Sequence, residues 1–542
     1  MASGVSESGA RRRAGAVISY AYSLLQILVN LLYVPVLLSG IGGEEYGLYQ
    51  LVGSVIAYLS IANSTFSAGA TRFYCAYFAA GDEEGMARTL GILRRIYRVA
   101  YLAIFAATCV IAVAFSLVYR KAFSAWEVEE SCLMLAVLAL NLMLTMSNTM
   151  SIACITAHEG FVFLKLSQLV VLVAQPLLVV ACIRVWPNAL TVAVVQLLCN
   201  FACRVIQQAF ARRRLGMRID PHATDPALQR KILVFSGSIL LGVLADQIFW
   251  KTDQLVLGYL FGTASVAVYS VGAQIVNAYT PLGFAVSSVF MPHVSKVWHE
   301  SGDMAELSRL FVRVSRIALY PLLATLLGFY VFGRDFIRLW AGPGYGEAYL
   351  VALMELTPFT IDISQNIGLV ILQVIDRYGF RARMYLAAAV TNIVLTVVLA
   401  QQMGIVGAAL ATAIAILVSS GLVLNLYYQR VIGLDMLAWW RSALREAAPM
   451  VALAIAAGVL WAPFSGCGWG GPCPWHRGLG PCLHARLVLP VRQRAGEGAL
   501  LWHRSPGDSR RAVGIALLSR RVLGLSVGMP KPAVTADILM TV

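Results

Sequence analysis

Charged residues are scarce in this chain. Only 13% of its 542 residues are Asp, Glu, Lys or Arg, whereas 59% are hydrophobic, and the mean hydropathy is +0.74. An ordinary soluble protein carries about 25% charged residues, which is enough to cover several water-facing domains. The missing charge argues against a soluble enzyme, a nucleic-acid-binding protein and a secreted disulfide scaffold. The excess apolar surface must face lipid, so the sequence predicts an integral membrane protein.

Motifs of cofactor, metal and catalytic chemistry are also missing. No Walker A motif occurs, so we do not expect the chain to hydrolyse ATP. None of the ten cysteines forms a CxxC pair, and Cys199 and Cys203, one helical turn apart, lack the further ligands that zinc requires. Ser, His and Asp form no arrangement typical of a triad. We therefore expect no cofactor, no metal site and no enzymatic activity.

Long apolar windows recur along the chain. A spanning helix needs about 20 apolar residues, and this criterion predicts an all-α integral membrane protein of about thirteen transmembrane helices. The windows lie at about 14–39, 47–68, 97–118, 132–156, 161–183, 188–208, 234–260, 264–288, 314–333, 348–373, 383–401, 404–428 and 446–463.

Lys and Arg are distributed unequally between the two sides of this topology. If Arg11, Arg12 and Arg13 are cytoplasmic, alternation assigns 25 cations to the cytoplasmic side and 5 to the external loops. Short cytoplasmic loops are enriched in Lys and Arg, so the asymmetry predicts a cytoplasmic N-terminus. It also explains the net charge of +15 without a nucleic-acid partner.

The basic segment 209–233 separates two groups of six spans. A shift of 220 residues places Gly42 and Tyr49 on Gly262 and Tyr269, each at the first external turn of its group. Two halves in the same orientation predict a parallel repeat about a pseudo-two-fold axis, with a cleft between two lobes. The predicted segments are an N-terminus (1–13), an N-lobe (14–208), a linker (209–233), a C-lobe (234–428), an extra span (429–464) and a tail (465–542).

The tail differs in composition from the rest. Residues 465–542 hold 12 of the 45 glycines, 7 of the 19 prolines and 10 Lys or Arg against 3 acidic residues. Parity would place these cations outside, against the bias of the other loops. We interpret the tail as aberrant or disordered, and a reading-frame shift near codon 465 as its origin. An apolar stretch of about 20 residues in another frame of the DNA would support the shift; no such stretch would contradict it.

Three stretches resemble a known family. They are LSGIGGEEYGLYQLVGSVIAYLSIANSTFSAGATRFYCAYFAAGDEEG (38–85), DQIFWKTDQLVLGYLFGTASVAVYSVG (246–272) and GIVGAALATAIA (404–415). They are similar to the bacterial polysaccharide-biosynthesis flippases of the multidrug/oligosaccharidyl-lipid/polysaccharide exporter superfamily. The resemblance implies alternating-access transport of an undecaprenyl-diphosphate-linked oligosaccharide across the bacterial inner membrane. The expected partners are this lipid-linked oligosaccharide, inner-membrane lipids, and a polysaccharide polymerase with its assembly machinery.

Polar residues at membrane depth are the best site candidates, because each ionisable one costs at least about 2.5 kcal/mol to insert. The seventh predicted span carries five in one stretch: Asp246, Gln247, Lys251, Asp253 and Gln254. At about 100° per residue they form one polar arc, which predicts a face that lines the cleft. We expect Lys251 to contact an anionic group of the cargo, and Asp246 and Asp253 to bind coupling ions. An internal ion pair that fixes the helix is the alternative.

Other polar residues are candidate ligands of the cargo. Arg72 closes the second span and matches an arginine common there in the family, although an inside-positive anchor would look the same. Gln274 and Asn277 lie in the eighth span, and the tenth carries four more polar residues: Glu355, Asp362, Gln365 and Asn366. Interhelical hydrogen bonds are the alternative role for all of these.

Two other functions stay open at this point. One is a drug exporter of the same superfamily driven by Na⁺ or H⁺. The other is a multi-span polysaccharide polymerase or glycosyltransferase that uses the same substrates. Such enzymes generally have a sizeable acidic external loop, whereas the predicted external loops here are about a dozen residues long or shorter.

Overall fold

In the computed structural model, residues 2–461 are described, and they form helices with no β-strand among them, as predicted. The first thirteen α-helices are α1 (Ala2–Ile41), α2 (Gly43–Leu59), α3 (Ile61–Ala79), α4 (Glu83–Val118), α5 (Ala125–Ala157), α6 (Phe161–Ile183), α7 (Ala189–Arg213), α8 (Pro226–Phe261), α9 (Thr263–Ser301), α10 (Met304–Trp340), α11 (Gly346–Ser364), α12 (Asn366–Val374) and α13 (Tyr378–Ile416). Two π-helical segments, Leu417–Leu424 and Tyr428–Ile432, flank the short α14 (Asn425–Tyr427), and α15 (Met436–Trp461) follows. The predicted tail 465–542 lies outside the described residues.

Within residues 2–461, nine helices are long and apolar enough to cross a membrane, or ten if the bent pair α2 and α3 is one span. The segment Tyr378–Ile432 counts once among them, although Gly404 (φ 63°, ψ −140°) divides α13 into two arms. Helices α9 and α11 are not among the nine. The chain is thus a multi-pass membrane protein, and the count of thirteen spans stays a prediction.

Matching turns occur at corresponding places in the two halves of the chain. Gly42 (φ 88°, ψ 168°) and Gly262 (φ 80°, ψ −176°) join α1 to α2 and α8 to α9 with nearly the same backbone geometry. Asp82 and Asp303, each preceded by a glycine with positive φ, cap the next helix by accepting a backbone N–H. Only glycine adopts these backbone angles at little cost. The turns follow the proposed repeat, which itself stays a prediction.

The two halves touch at the outer end, the side predicted to be external. A Cβ on Gly47 of α2 would lie 1.9 Å from the carbonyl oxygen of Thr263, at the start of α9. The Thr263 hydroxyl donates to Glu127 of α5 at 3.2 Å. Trp340 Nε1 donates to the Leu31 carbonyl at 2.6 Å and ties α10 to α1. These contacts close the space between the halves at this end.

Towards the end predicted to be cytoplasmic, the halves touch along α3 and α8. Just before this seam, Tyr58 at the end of α2 and Thr252 of α8 share a hydrogen bond of 2.6 Å. Further in, the rings of Phe73 and Phe235 meet edge to face with centroids 6.0 Å apart. Helices α2 and α3 meet at a 47° bend. One bent pair therefore contacts the second half at both levels.

Candidate functional site

Asp253, in the outer half of α8, is enclosed by hydroxyl groups. Its side chain is buried, with 1% of the residue exposed. Thr396 donates to one carboxylate oxygen at 2.7 Å, and Thr412 and Tyr269 donate to the other at 2.7 and 2.6 Å. Thr396 and Thr412 lie on the two arms of α13, and Tyr269 lies on α9. One carboxylate therefore joins four helical segments.

A second buried carboxylate shares the same phenol. The Tyr269 hydroxyl lies 2.8 Å from Glu355, which is also 1% exposed. A phenol has one proton and can donate to only one of the two acids. Neither acid has a Lys or Arg within 4 Å among the described side chains. Asp253 and Glu355, with Tyr269 between them, are here called the acid pair. A proton or a small cation bound between the two acids would satisfy the one to which the phenol does not donate.

A second polar group lies nearer the side that is predicted to be cytoplasmic. Asp246 and Asn277 are exposed, Lys251 and Gln274 are half-buried, and Asn277 donates to Gln274 at 3.5 Å. Helices α8 and α9 pack together and are joined by Gly262 alone, so residues equally far from this turn lie at the same depth. Lys251 and Gln274 are roughly 17 Å from it, and Asp246 and Asn277 roughly 23 Å. All four, the inner polar group, lie within a hydrocarbon core of about 30 Å.

The prediction of one continuous cleft-lining face on α8 is wrong for Asp253 and Gln254. Both are buried, and Gln254 donates to Ser270 of α9 at 3.2 Å. Asp246 and Asp253 do lie on one stripe of the helix, but the stripe meets different neighbours along its length. At Asp253 it is covered by α13, whereas Asp246 is exposed. Gln247 is half-buried, without a described side-chain partner.

Sequence reasoning missed Arg381, which it counted as an ordinary cytoplasmic cation. Its guanidinium lies 4.9 Å from the ring centroid of Tyr385, and Nη1 is 3.4 Å from the Tyr378 hydroxyl. Asp246 interacts electrostatically with both Arg381 and Lys251. The inner polar group is therefore a mixed-charge surface, where the sequence suggested a simple cationic one.

The remaining candidates fall in different places. Arg72 is exposed in the half of α3 that is predicted to be cytoplasmic, away from the inner polar group. Asn366 donates to Ser287 of α9, and Gln365 is buried at the break between α11 and α12. For Asn366 and Gln254, the hydrogen bonds agree with the interhelical alternative. Asp362 is half-buried.

Metal chemistry finds no support in residues 2–461. No group of three or more His, Cys, Asp or Glu side chains in this range could hold a metal ion. The seven cysteines that the structure describes are all free thiols. Their scattered positions agree with a packing role.

The predicted family resemblance is confirmed by comparison with known proteins. Residues 88–350 match the family model "Polysaccharide biosynthesis protein". "Probable low-salt glycan biosynthesis flippase Agl15" of Haloferax volcanii is 23% identical over 37% of this chain and 42% of its own length. "Probable flippase AglR" of the same organism is 22% identical over 31% of this chain and 36% of its own length. The chain thus matches less than half the length of either relative, and both are named as flippases rather than enzymes.

Solved structures establish the fold. The lipid II flippase MurJ in an inward closed conformation has a TM-score of 0.65 at 12% identity, over 83% of this chain and 97% of that one. A multidrug resistance MATE family transporter of the MOP superfamily in an inward-facing conformation has a TM-score of 0.60 at 15% identity, over 80% and 98%. A MATE family transporter of the MOP superfamily in an outward-facing conformation has a TM-score of 0.52 at 13% identity, over 81% and 95%.

Proposed function

We propose that this member of the polysaccharide-biosynthesis flippase family moves an undecaprenyl-diphosphate-linked oligosaccharide across the bacterial inner membrane by alternating access. The observation that carries the proposal is the inner polar group, whose charged and amide side chains are accessible at membrane depth. Such residues are costly against lipid and are stable next to a water-filled space. A polar space beside an apolar bilayer suits a cargo with a sugar head and a hydrocarbon tail.

In this mechanism Lys251 contacts the anionic diphosphate of the cargo, and Gln274, Asn277 and Gln247 donate hydrogen bonds to sugar hydroxyls. Arg72, at the cytoplasmic end of α3, meets the cargo before it reaches this depth. Amide side chains both donate and accept, so they suit hydroxyls that vary in orientation. Asp246 keeps Lys251 in place and prevents it from binding free anions strongly.

Coupling to an ion gradient takes place at the acid pair. A proton or Na⁺ that binds between Asp253 and Glu355 removes the excess negative charge and draws α8, α9, α11 and both arms of α13 together. Loss of the ion leaves Glu355 without a donor when the Tyr269 phenol donates to Asp253, which favours separation of these helices. Asp246 is a weaker coupling candidate, because Lys251 and Arg381 already balance its charge.

The proposal places the chain in the inner membrane with a cytoplasmic N-terminus. A polysaccharide polymerase and its assembly machinery would take up the cargo on the external side. The distribution of 25 cations against 5 supports this orientation.

A proteoliposome assay tests the proposed function. The purified chain is reconstituted with a polyprenyl-diphosphate oligosaccharide that carries a fluorophore on its sugar, and an impermeant quencher reports which leaflet holds it. We expect the chain to accelerate exchange between leaflets above the rate in empty liposomes. If the lipid exchanged only at the empty-liposome rate while the chain exported a cationic dye, the drug-exporter alternative would replace this proposal.

A further inference from the structure

A cationic cavity lies at the cytoplasmic end of the seam between α3 and α8. Its volume is about 750 Å³. Arg72 of α3 and Arg230 and Lys231 of α8 supply its charge. Phe73, Val234 and Phe235 supply its apolar wall. The cavity is open and belongs to neither the acid pair nor the inner polar group.

The charge of this cavity is unbalanced. No acidic residue lines it, and none of its three cations has a carboxylate within 4 Å among the described side chains. The Arg72 guanidinium lies 4.4 Å from the ring centroid of Phe235, which holds it at the seam. Three cations around one space repel each other, so an anion bound there would be stabilised.

All three cations lie just outside the predicted cytoplasmic ends of two apolar spans. Arg72 lies four residues beyond the predicted end of the second span, and Arg230 and Lys231 lie three or four residues before the seventh. At a rise of 1.5 Å per residue, these offsets are about 5 to 6 Å along the helices. Basic residues beside the cytoplasmic end of an apolar span attract anionic lipid headgroups. Val234, 66% exposed, lies one turn further into the predicted seventh span.

We infer that this cavity binds the phosphate of a lipid headgroup in the cytoplasmic leaflet. Arg72, Arg230 and Lys231 hold the phosphate, while Phe73, Val234 and Phe235 contact the first carbons of the chain. The lipid bridges α3 and α8 and so stabilises the cytoplasmic seam between the halves. The phosphate has two sources: an anionic phospholipid of the bilayer or the polyprenyl carrier of the cargo. The second source rests on the proposed function, whereas the first does not.

Lipid-dependent thermal stability of the purified full chain in detergent tests the inference. The probes are phosphatidylglycerol and undecaprenyl phosphate, and the neutral controls are phosphatidylcholine and undecaprenol. The test variant is Arg230→Gln with Lys231→Gln. The matched control is Arg212→Gln with Arg213→Gln, which removes two exposed cations of α7 that do not line the cavity.

We expect at least one phosphorylated probe to raise the melting temperature of the wild-type chain and of the control variant. The test variant should need about 10- to 30-fold more of that probe, because each basic residue near a lipid surface contributes about a factor of five. Stabilisation by phosphatidylglycerol identifies the bilayer source, and stabilisation by undecaprenyl phosphate alone identifies the carrier.

Two results would overturn the inference: equal stabilisation by the neutral controls, or an equal loss in both double variants. The melting temperature without lipid shows whether each variant folds. Since no transport is measured, failure of the proposed flippase activity leaves this test unaffected.

Discussion

The hydroxyl of Tyr269 lies 2.6 Å from a carboxylate oxygen of Asp253, deep in the second half of the protein. Because Glu355 lies 2.8 Å from the same hydroxyl, two acids compete for one donor. Hydrogen bonds to charged groups contribute about 1.5 to 3 kcal/mol, and a buried charge without one is costly. The affinity of the acid pair for an ion thus depends on which acid the phenol serves.

Asp253→Asn is expected to remove ion coupling while the fold persists. The amide has nearly the same shape, and the hydroxyls of Thr396 and Thr412 can donate to its oxygen or accept from its nitrogen. In proteoliposomes, a Na⁺ or H⁺ gradient should no longer accelerate transport by this variant. Asp335→Asn is the control, because Asp335 accepts from Trp461 at the outer end of α10. Full acceleration in the Asp253 variant would remove this residue from the mechanism.

Lys251→Ala is expected to slow transport about tenfold or more, because a charge-assisted hydrogen bond to the cargo contributes about 1.5 to 3 kcal/mol. The initial rate in the quencher assay measures the effect. Lys296→Ala serves as the control, since Lys296 is 65% exposed and pairs with Glu300 near the end of α9. An unchanged rate in the Lys251 variant would discard this residue as a ligand.

Gly47→Ala is expected to weaken closure of the outer end. The added Cβ would lie 1.9 Å from the Thr263 carbonyl, so α2 and α9 must separate. Overpacking of this kind typically costs about 1 to 3 kcal/mol. Transport should fall, and cysteines placed near the outer end should label faster with an impermeant maleimide. Gly53→Ala is the control: a Cβ on Gly53, in the same helix, would have no atom within 4 Å, so this variant should behave as wild type. Equal labelling of the two variants would contradict a role of the Gly47 contact in closing the outer end.

Reporter fusions test the orientation. A reporter that is active only in the cytoplasm should be active when it is fused after Arg218, within the basic linker, because positive loops are retained inside. A reporter that is active only in the periplasm should be inactive there. A fusion in the turn after Trp186 should show the opposite pattern. Periplasmic activity at Arg218 would invert the topology and move every site described above to the other side.

The sequence predicted the helical class, the positions of many apolar helices and the family resemblance, because these depend on composition and on glycine turns such as Gly42 and Gly262. It also identified Asp253 and Glu355 as polar residues at membrane depth. It did not predict that Tyr269 joins them, since Tyr269 and Glu355 are 86 residues apart. Nor did helical periodicity reveal that α13 covers Asp253 and leaves Asp246 exposed, because that depends on where a neighbouring helix packs.

Arg381 shows the same limit for the basic residues. Its position just before an apolar run is typical of a topology signal, and nothing in the local pattern indicates two tyrosines around the guanidinium. Tyr378 and Tyr385 are three and four residues away, on either side of it in the same helix, but aromatic residues at such spacing are common in packed spans. The nearby charges of Asp246 and Asp362, 135 and 19 residues earlier on other helices, distinguish this arginine from its neighbours.

The 47° bend at Ser60 has a mechanical consequence. Helix α3 is 19 residues long, so it acts as a lever of roughly 28 Å. A rotation of about 10° around Ser60 would move its far end by about 5 Å and Arg72, twelve residues from Ser60, by about 3 Å relative to the Phe235 ring, while α2 stays packed on α9. The far end of α3 can therefore separate from α8 while the outer contacts between α2 and α9 stay closed. Straightening this joint, which spin labels at both ends of the pair would detect as a longer separation, would couple the two surfaces rigidly.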